Sequence, residues 1–401
     1  MNLSYVESEN AAKIKVIGVG GAGGNAVNNM ISAGLKGVKF IVANTDAQAL
    51  NDSKADKKIQ LGPQLTQGLG AGANPDIGRE AARENIDEIR EALQGSHMVF
   101  ITAGFGGGTG TGAAPVIAEI CKELGILTVA VASKPFSFEG KRKEQQALTG
   151  LEELQGITDT VITIPNDRLR GIAPKGAKML DMFIKADEIL HHSVKGITDL
   201  IMVPGLVNLD FADVKTIMSK AGNALMGIGF ASGENRAIEA AEKAISHPLL
   251  EDISISGAKG VLLNITSSSD LTLDEMTEAS DRIYEEVGDD AEIIWGQTID
   301  DTLGDEMRIT VVATGININD GVEESNIHKF EANSVKKAVN SNHGITTGKL
   351  RNPTEDELAN WNEYETPIKR AVGDNIPGNL NNFTYDKEDL DIPTFLRRKA
   401  D

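Results

Sequence analysis

Six glycines fall within the nine residues Gly104-Phe105-Gly106-Gly107-Gly108-Thr109-Gly110-Thr111-Gly112. Glycine lets the backbone take positive φ and come close to a ligand, and successive N–H groups in such a run can converge on an anion. Thr109 and Thr111 add hydroxyl donors. So many glycines would be a costly way to build a plain turn, because each loses more chain entropy on folding than any other residue. The run sits between the strand-like Met98-Val99-Phe100-Ile101 and the helix-like stretch Ala113 to Leu124. Phosphates bind at such a strand-to-helix turn, where the helix dipole adds its positive end.

Two further clusters have the same character. Gly18-Val19-Gly20-Gly21-Ala22-Gly23-Gly24-Asn25 ends a first strand pattern and opens a helix, and Gly68-Leu69-Gly70-Ala71-Gly72-Ala73-Asn74 precedes another. Taken alone, the first resembles a dinucleotide fingerprint, with Asp46 near the end of the second strand as the ribose ligand of a nicotinamide-dependent dehydrogenase. Three anion-friendly turns suit a triphosphate better than a pyrophosphate. No GxxxxGK[ST] occurs, so the chain is not a P-loop nucleotidase, and charge neutralisation falls to backbone amides and a Mg²⁺ ion bridging phosphate oxygens.

Asp210 and Asp213, at i and i+3 near a helix start, could orient a water and hold a hydrated cation, or could serve only as helix caps. His191-His192 lacks further ligands at zinc spacing and reads as structural or surface. The single cysteine, Cys121, can form no internal disulfide and reads as a buried core residue.

These residues need elements to hold them. β-rich runs at Ile14–Val19, Val38–Asn44, Met98–Ala103, Leu127–Ala132, Thr160–Ile164 and Leu200–Val203 alternate with helical patterns, which predicts a parallel sheet covered on both faces. Asn74-Pro75 should cap a helix over Asp76 to Gln94, stopped by Gly95, and Ala177 to Lys195 should form a long central helix. From Asn223 to Ile316 the order strand, helix, strand, helix, strand, strand predicts a smaller α+β domain. Asn317 to Asp389 is too poor in aliphatics to fold and reads as a disordered tether.

The chain has 401 residues and a formal charge of -20, with 39 Lys and Arg against 59 Asp and Glu, which disfavours nucleic acid and anionic lipid as partners. With no membrane-length apolar run and no signal-like start, the expectation is a soluble, cytoplasmic protein. Close to the C-terminus, Asp391 can cap and Pro393 can start a helical turn that places Ile392, Phe395 and Leu396 on one face, with Arg397 after them. Such a peptide could dock in a partner's groove, or be no more than a frayed end.

The glycine loops in this order, with Asn44-Thr45-Asp46 between them and Asn208-Leu209-Asp210-Phe211-Ala212-Asp213 later, resemble the FtsZ family, the tubulin-like GTPases of bacterial cell division. The resemblance covers residues 13–316 and returns at the terminal peptide. It implies a Rossmann-like α/β GTPase domain at 13–176 and a segment at 177–222 carrying the central helix, the catalytic loop and the following helix. It also implies an α+β domain at 223–316, flanked by a flexible start at 1–12, the linker 317–389 and a partner peptide at 390–401.

The resemblance further implies that Gly20, Gly21, Ala22, Gly23, Gly24 and Asn25, together with Gly107, Gly108, Thr109 and Gly110, hold GTP phosphates, with Asn44 and Gly72 nearby. Glu139 and Asn166 would contact the ribose, and Phe183 would stack on the guanine. Asp187, on the same helix face at i+4, would accept from the guanine N1–H and N2 amine. Lys143 stands where the family usually has arginine, and Arg142 is the alternative for that role. Asn208, Asp210 and Asp213 would reach the GTP of the next subunit, so that hydrolysis accompanies head-to-tail assembly into the filaments of a division ring. Asp391 to Arg397 would bind membrane adaptors and regulatory division proteins. Beside this reading stand a tubulin-like filament with another role such as DNA segregation, a scaffold that hydrolyses little, and the dehydrogenase.

Overall fold

The inner strands are buried on both faces and alternate between two cores, which fixes the layers. In the first strand Val16 belongs to one core, while Ile17 and Val19 belong to the other. The computed structural model describes residues 12–171, 176–203, 205, 207, 209–219, 222–250, 255, 257–288 and 291–316. Asn208, the linker 317–389 and the peptide residues Asp391, Ile392, Pro393, Phe395, Leu396 and Arg397 lie outside the described residues, as does nearly all of the N-terminal segment 1–12.

Among the described residues the strands are β1 (Ile14–Val19), β2 (Val38–Asn44), β3 (Lys57–Gln60), β4 (Met98–Gly104), β5 (Leu127–Lys134), β6 (Thr160–Pro165), β7 (Gly222–Ser232), β8 (Gly260–Ser267), β9 (Glu292–Ile299) and β10 (Glu306–Thr314). The helices of the first part are α1 (Gly20–Ser32), α2 (Ala47–Asn51), α3 (Pro63–Thr66), α4 (Pro75–Glu84), α5 (Ile86–Leu93), α6 (Thr109–Glu123), α7 (Lys141–Gln155) and α8 (Asn166–Leu169). They are followed by α9 (Met179–Met202), α10 (Phe211–Ser219), α11 (Arg236–Ile245) and α12 (Leu273–Val287).

All the strands join one sheet in the order β3-β2-β1-β4-β5-β6-β7-β10-β8-β9. Pairing is parallel from β3 through β7, antiparallel on both sides of β10, and parallel again between β8 and β9. The expected parallel sheet and the expected smaller α+β part are therefore continuous, linked where Thr160 to Ile162 pair with Gly222 to Ala224.

On one face α1, α9 and α10 bury Val27, Met30, Ile189, Val194, Ile197 and Ile217 against residues of both parts of the sheet, from Val16 and Phe100 to Met226 and Val312. Helices α4 to α7 cover the other face of the first part, and α11 and α12 that of the second. The long central helix thus lies across both parts.

Two expectations are corrected. Leu200 to Val203 is not a strand: α9 runs on to Met202, because Ser193, Val194, Ile197 and Leu200 keep the i, i+3, i+4 spacing of a buried helical face. The stretch Asp76 to Gln94 is two helices. Asn85 breaks it at φ -111°, ψ 22°, and its Oδ1 accepts the Gly62 N–H at 2.9 Å. Gly95, at φ +73°, does stop the second helix. Strand β3 had no counterpart in the sequence reading.

Candidate functional site

Strand β1 feeds a helix that returns toward β2, whereas β4 feeds one that runs toward β5, so the strand order reverses between β1 and β4. A crevice opens at the carboxyl ends of parallel strands at such a switch point. Here it is a cavity of about 270 Å³, lined by Gly21 and Ala22 after β1, by Gly104 at the end of β4 with Phe105 and Gly107 to Gly110 after it, and by Ser133 near the end of β5 with Pro135 and Glu139 after it. Asn166 after β6 and Phe183, Ala186 and Asp187 on α9 complete it.

The glycines divide into two kinds. Gly20 takes φ +72°, and a Cβ there would stand 3.0 Å from the Gly110 nitrogen, so the two glycine loops touch. A Cβ at Gly108 would lie 2.8 Å from the Ala71 Cβ, and one at Gly110 would collide with the Gly104 carbonyl. These positions are glycine because the protein packs against itself. Gly21 and Gly107 differ: neither has a positive φ, and nothing lies within 4 Å of the Cβ each lacks. Both face the cavity, and neither packing nor backbone geometry calls for glycine there.

Helices α1 and α6 both open onto the cavity with no side-chain cap on their first-turn N–H groups. That arrangement suits a polyanion. Thr109 Oγ1 is 2.7 Å from Thr45 Oγ1, a contact that ties the β4 loop to the turn after β2.

At the other end of the cavity, Asn166 is buried and its Oδ1 has no hydrogen-bond partner. A buried, unpaired amide oxygen costs about 1–3 kcal/mol unless a ligand or water reaches it. Phe183 stands edge-on to the buried Phe136, with ring centroids 5.4 Å apart, and is itself 38% exposed. Asp187 lies beside Phe183 on the same face, half-buried, and burial pushes its carboxyl up to about 6. Asn29, on α1, donates its Nδ2 to Asp187 Oδ2 at 3.3 Å. Glu139 accepts the Phe136 N–H at 2.9 Å and pairs with Lys143 Nζ at 3.0 Å.

Of the residues expected in the site, Gly21, Ala22, Gly107, Gly108, Thr109, Gly110, Glu139, Asn166, Phe183 and Asp187 line the cavity. Gly20, Gly23, Gly24, Asn25, Asn44, Gly72 and Lys143 do not. Asn44 Oδ1 accepts the Asp46 N–H at 3.2 Å and shapes the turn after β2. The third glycine cluster buttresses the β4 loop from behind, through Ala71 and Asn74 against Gly108. Lys143 pairs with Glu139 and packs against Gly106 of the β4 loop, and Arg142 is exposed. Asp46, the ribose ligand a dehydrogenase would use, does not line the cavity; its Oδ1 caps α2, accepting from Gln48 and Ala49 N–H at 2.9 and 3.2 Å.

Asp210 and Asp213 do not line the cavity. Asp210 Oδ1 accepts the Asp213 N–H at 2.8 Å, the capping geometry, and the intervening Phe211 ring lies 6.0 Å from that of His97. His97 immediately precedes β4, whereas the cavity lies past its far end at Gly104. A strand of that length spans about 20 Å. The start of α10 and the cavity therefore occupy opposite ends of the sheet.

Elsewhere, burial pushes the His191 and His192 imidazoles down to about 4 and about 3, and the two rings stack at 5.3 Å. Burial also pushes the Cys121 thiol up to about 12, so it is not poised for chemistry at neutral pH. No group of carboxylates, histidines or cysteines among the described residues could hold a metal ion, and no helix among them is long and apolar enough to cross a membrane.

Residues 13–174 match the GTPase domain of the tubulin/FtsZ family, and residues 222–317 match the C-terminal domain of the FtsZ family. An FtsZ dimer from M. jannaschii is 49% identical, with TM-score 0.74, over 77% of this chain and 89% of that one. A point mutant of FtsZ from the same organism is 48% identical over 76% and 92%, with TM-score 0.74. A CetZ2 protofilament from Haloferax volcanii, with GTPγS bound, shares the fold at 22% identity and TM-score 0.67, over 76% and 94%.

Proposed function

The chain belongs to the tubulin/FtsZ family of GTPases, and from that premise we propose that its GTP lies in the cavity and is hydrolysed only when a second copy supplies Asp210 and Asp213. The observation that carries this is the placement of the acidic helix start and the cavity at opposite ends of one sheet. Copies stacked head to tail bring those two ends together, and a contact of that kind does not close on itself, so it makes filaments.

The residues present suit GTP. The α1 and α6 N-termini would receive the phosphates, with Gly21 and Gly107 leaving the room they need. Asn166 Oδ1 would take a ribose hydroxyl. Phe183 would stack on the base, and ionised Asp187 would accept from N1–H and the N2 amine, an edge that adenine does not offer. Mg²⁺ would neutralise charge on the triphosphate, held by phosphate oxygens and water. Asp210 and Asp213 from the neighbouring copy would orient a water in line with the γ-phosphorus. As the water oxygen bonds to phosphorus, the bond to the β-γ bridging oxygen breaks, leaving GDP and phosphate.

Exposed apolar side chains support a contact between copies. Leu69 is 85% exposed, and Phe138, Met179 and Leu180 are also well exposed, the last two within a turn or so of Phe183. We further propose a cytoplasmic role in a division ring, with the peptide 390–401 binding adaptors that tether filaments to the membrane. Light scattering and pelleting test assembly: GTP should induce a sedimentable polymer above a threshold protein concentration, and GDP should not. No polymer with GTP at any concentration would refute the filament reading.

A further inference from the structure

We propose that Asn29 is a positioning residue for guanine recognition, holding the Asp187 carboxylate in the orientation that reads the base; this rests on the cavity being the GTP site. The pair joins α1 to α9 across 158 positions of sequence, and among the described residues Asn29 Nδ2 is the donor that reaches Asp187.

The need for such a partner follows from the geometry of the base. Guanine presents N1–H and the N2 amine side by side in one plane, so a carboxylate accepting both must lie close to that plane. Rotation about the Asp Cβ–Cγ bond is soft, with a broad rather than three-fold preference. A donor fixed on Oδ2 selects one orientation while leaving Oδ1, and the second lone pair of Oδ2, for the base. It also partly compensates a carboxylate that burial disfavours.

The charged groups nearby do not do this work. Lys185 and Glu188 on α9 pair with each other at 3.0 Å, and Lys143 is engaged with Glu139. The adjacent Asn28 has a different task, its Oδ1 accepting the Lys54 N–H at 2.8 Å and so pinning the turn before β3. Helix α1 thus serves both ends of the ligand. Gly21 and Ala22 line the cavity from its first turn, and Asn29 lies eight residues on, about 12 Å along the axis.

The experiment uses the full chain with Asn29→Leu, which keeps the volume without donors, Asn29→Gln, which keeps an amide, and Asp187→Ala as reference. Dissociation constants are measured for GTP, ATP and inosine triphosphate, which lacks the N2 amine. Asn29→Leu should weaken GTP binding by up to about 10-fold, the cost of fixing on binding a carboxylate that Asn29 no longer holds. It should also narrow the preference for GTP over inosine triphosphate, leave ATP binding unchanged, and raise KM without lowering kcat at saturation. Asn29→Gln should restore most of the preference. The inference is overturned if Asn29→Leu discriminates among the nucleotides as the wild type does while Asp187→Ala does not. Should Asp187→Ala itself keep guanine selectivity, the assignment of the cavity falls, and Asn29 with it.

Discussion

Replacing Gly107 with alanine separates phosphate binding from folding. The added Cβ would have nothing within 4 Å, and the residue has no positive φ to maintain. The substitution should therefore leave stability unchanged or raise it by up to about 1 kcal/mol, through the smaller entropy of the unfolded chain. The methyl would project into the cavity between the two glycine loops. If it displaces one phosphate oxygen, the charge-assisted hydrogen bond lost is worth about 1.5–3 kcal/mol, or about 10- to 150-fold in affinity. Gly110→Ala is the contrasting variant. Its Cβ would collide with the Gly104 carbonyl, and overpacking of this sort costs about 1–3 kcal/mol of stability. Thermal denaturation of the nucleotide-free protein and competition against a fluorescent GTP analogue would read the two effects separately. Should Gly107→Ala bind GTP as tightly as the wild type, the cavity does not hold the phosphates and the reasoning fails.

Because burial holds Asp187 at about 6 in the free protein and the ionised form is the one proposed to receive the base, GTP affinity should be flat above neutral pH. It should then fall by up to tenfold per pH unit as pH drops below about 6, measured by titration from pH 8 to 5. Stability moves the other way: the unfolded carboxyl titrates lower, so the folded free protein gains as pH falls through about 6. Asp187→Asn should accordingly stabilise the nucleotide-free protein at pH 7 by about 1–2 kcal/mol once solvent screening is allowed for, while weakening GTP binding. Asp213→Ala should leave the GTP dissociation constant unchanged and lower turnover at least about 100-fold; an equal loss of both would place Asp213 in its own chain's cavity. Removing Leu390 to Asp401 should spare GTP-induced pelleting and abolish adaptor binding in a pull-down, and loss of pelleting would refute the tether.

The glycine loops were legible because a glycine-rich turn between an apolar strand and a helix has few other uses. The i, i+4 spacing of Phe183 and Asp187 placed them on one face of a helix long enough to be recognised, but a base-binding role for them came only from the family resemblance. The end of that helix was misread because Leu200-Ile201-Met202-Val203 is as apolar as a buried strand, and only its packing against both parts of the sheet decides the matter. Ser133 and Pro135 enter the cavity because β5 lies beside β4, a fact of strand order that local pattern does not carry. Asn29 gave no signal at all. It is one of several asparagines on α1, and only the approach of α9 distinguishes it from Asn28. Asp210 is a cap, as its spacing allowed, and what its spacing could not show is that the cap stands at the far end of the sheet from the cavity.

Mixing two defective variants tests the shared site most directly. Asp187→Ala should lack a competent cavity but keep its acidic loop, and Asp213→Ala should keep the cavity but lack the loop. Each alone should show little GTP turnover. Equimolar mixtures that co-sediment should recover a substantial fraction of wild-type turnover, since the cavity of one copy then meets the intact loop of the other. Co-sedimenting mixtures with no more turnover than the separate variants would contradict a site completed between copies.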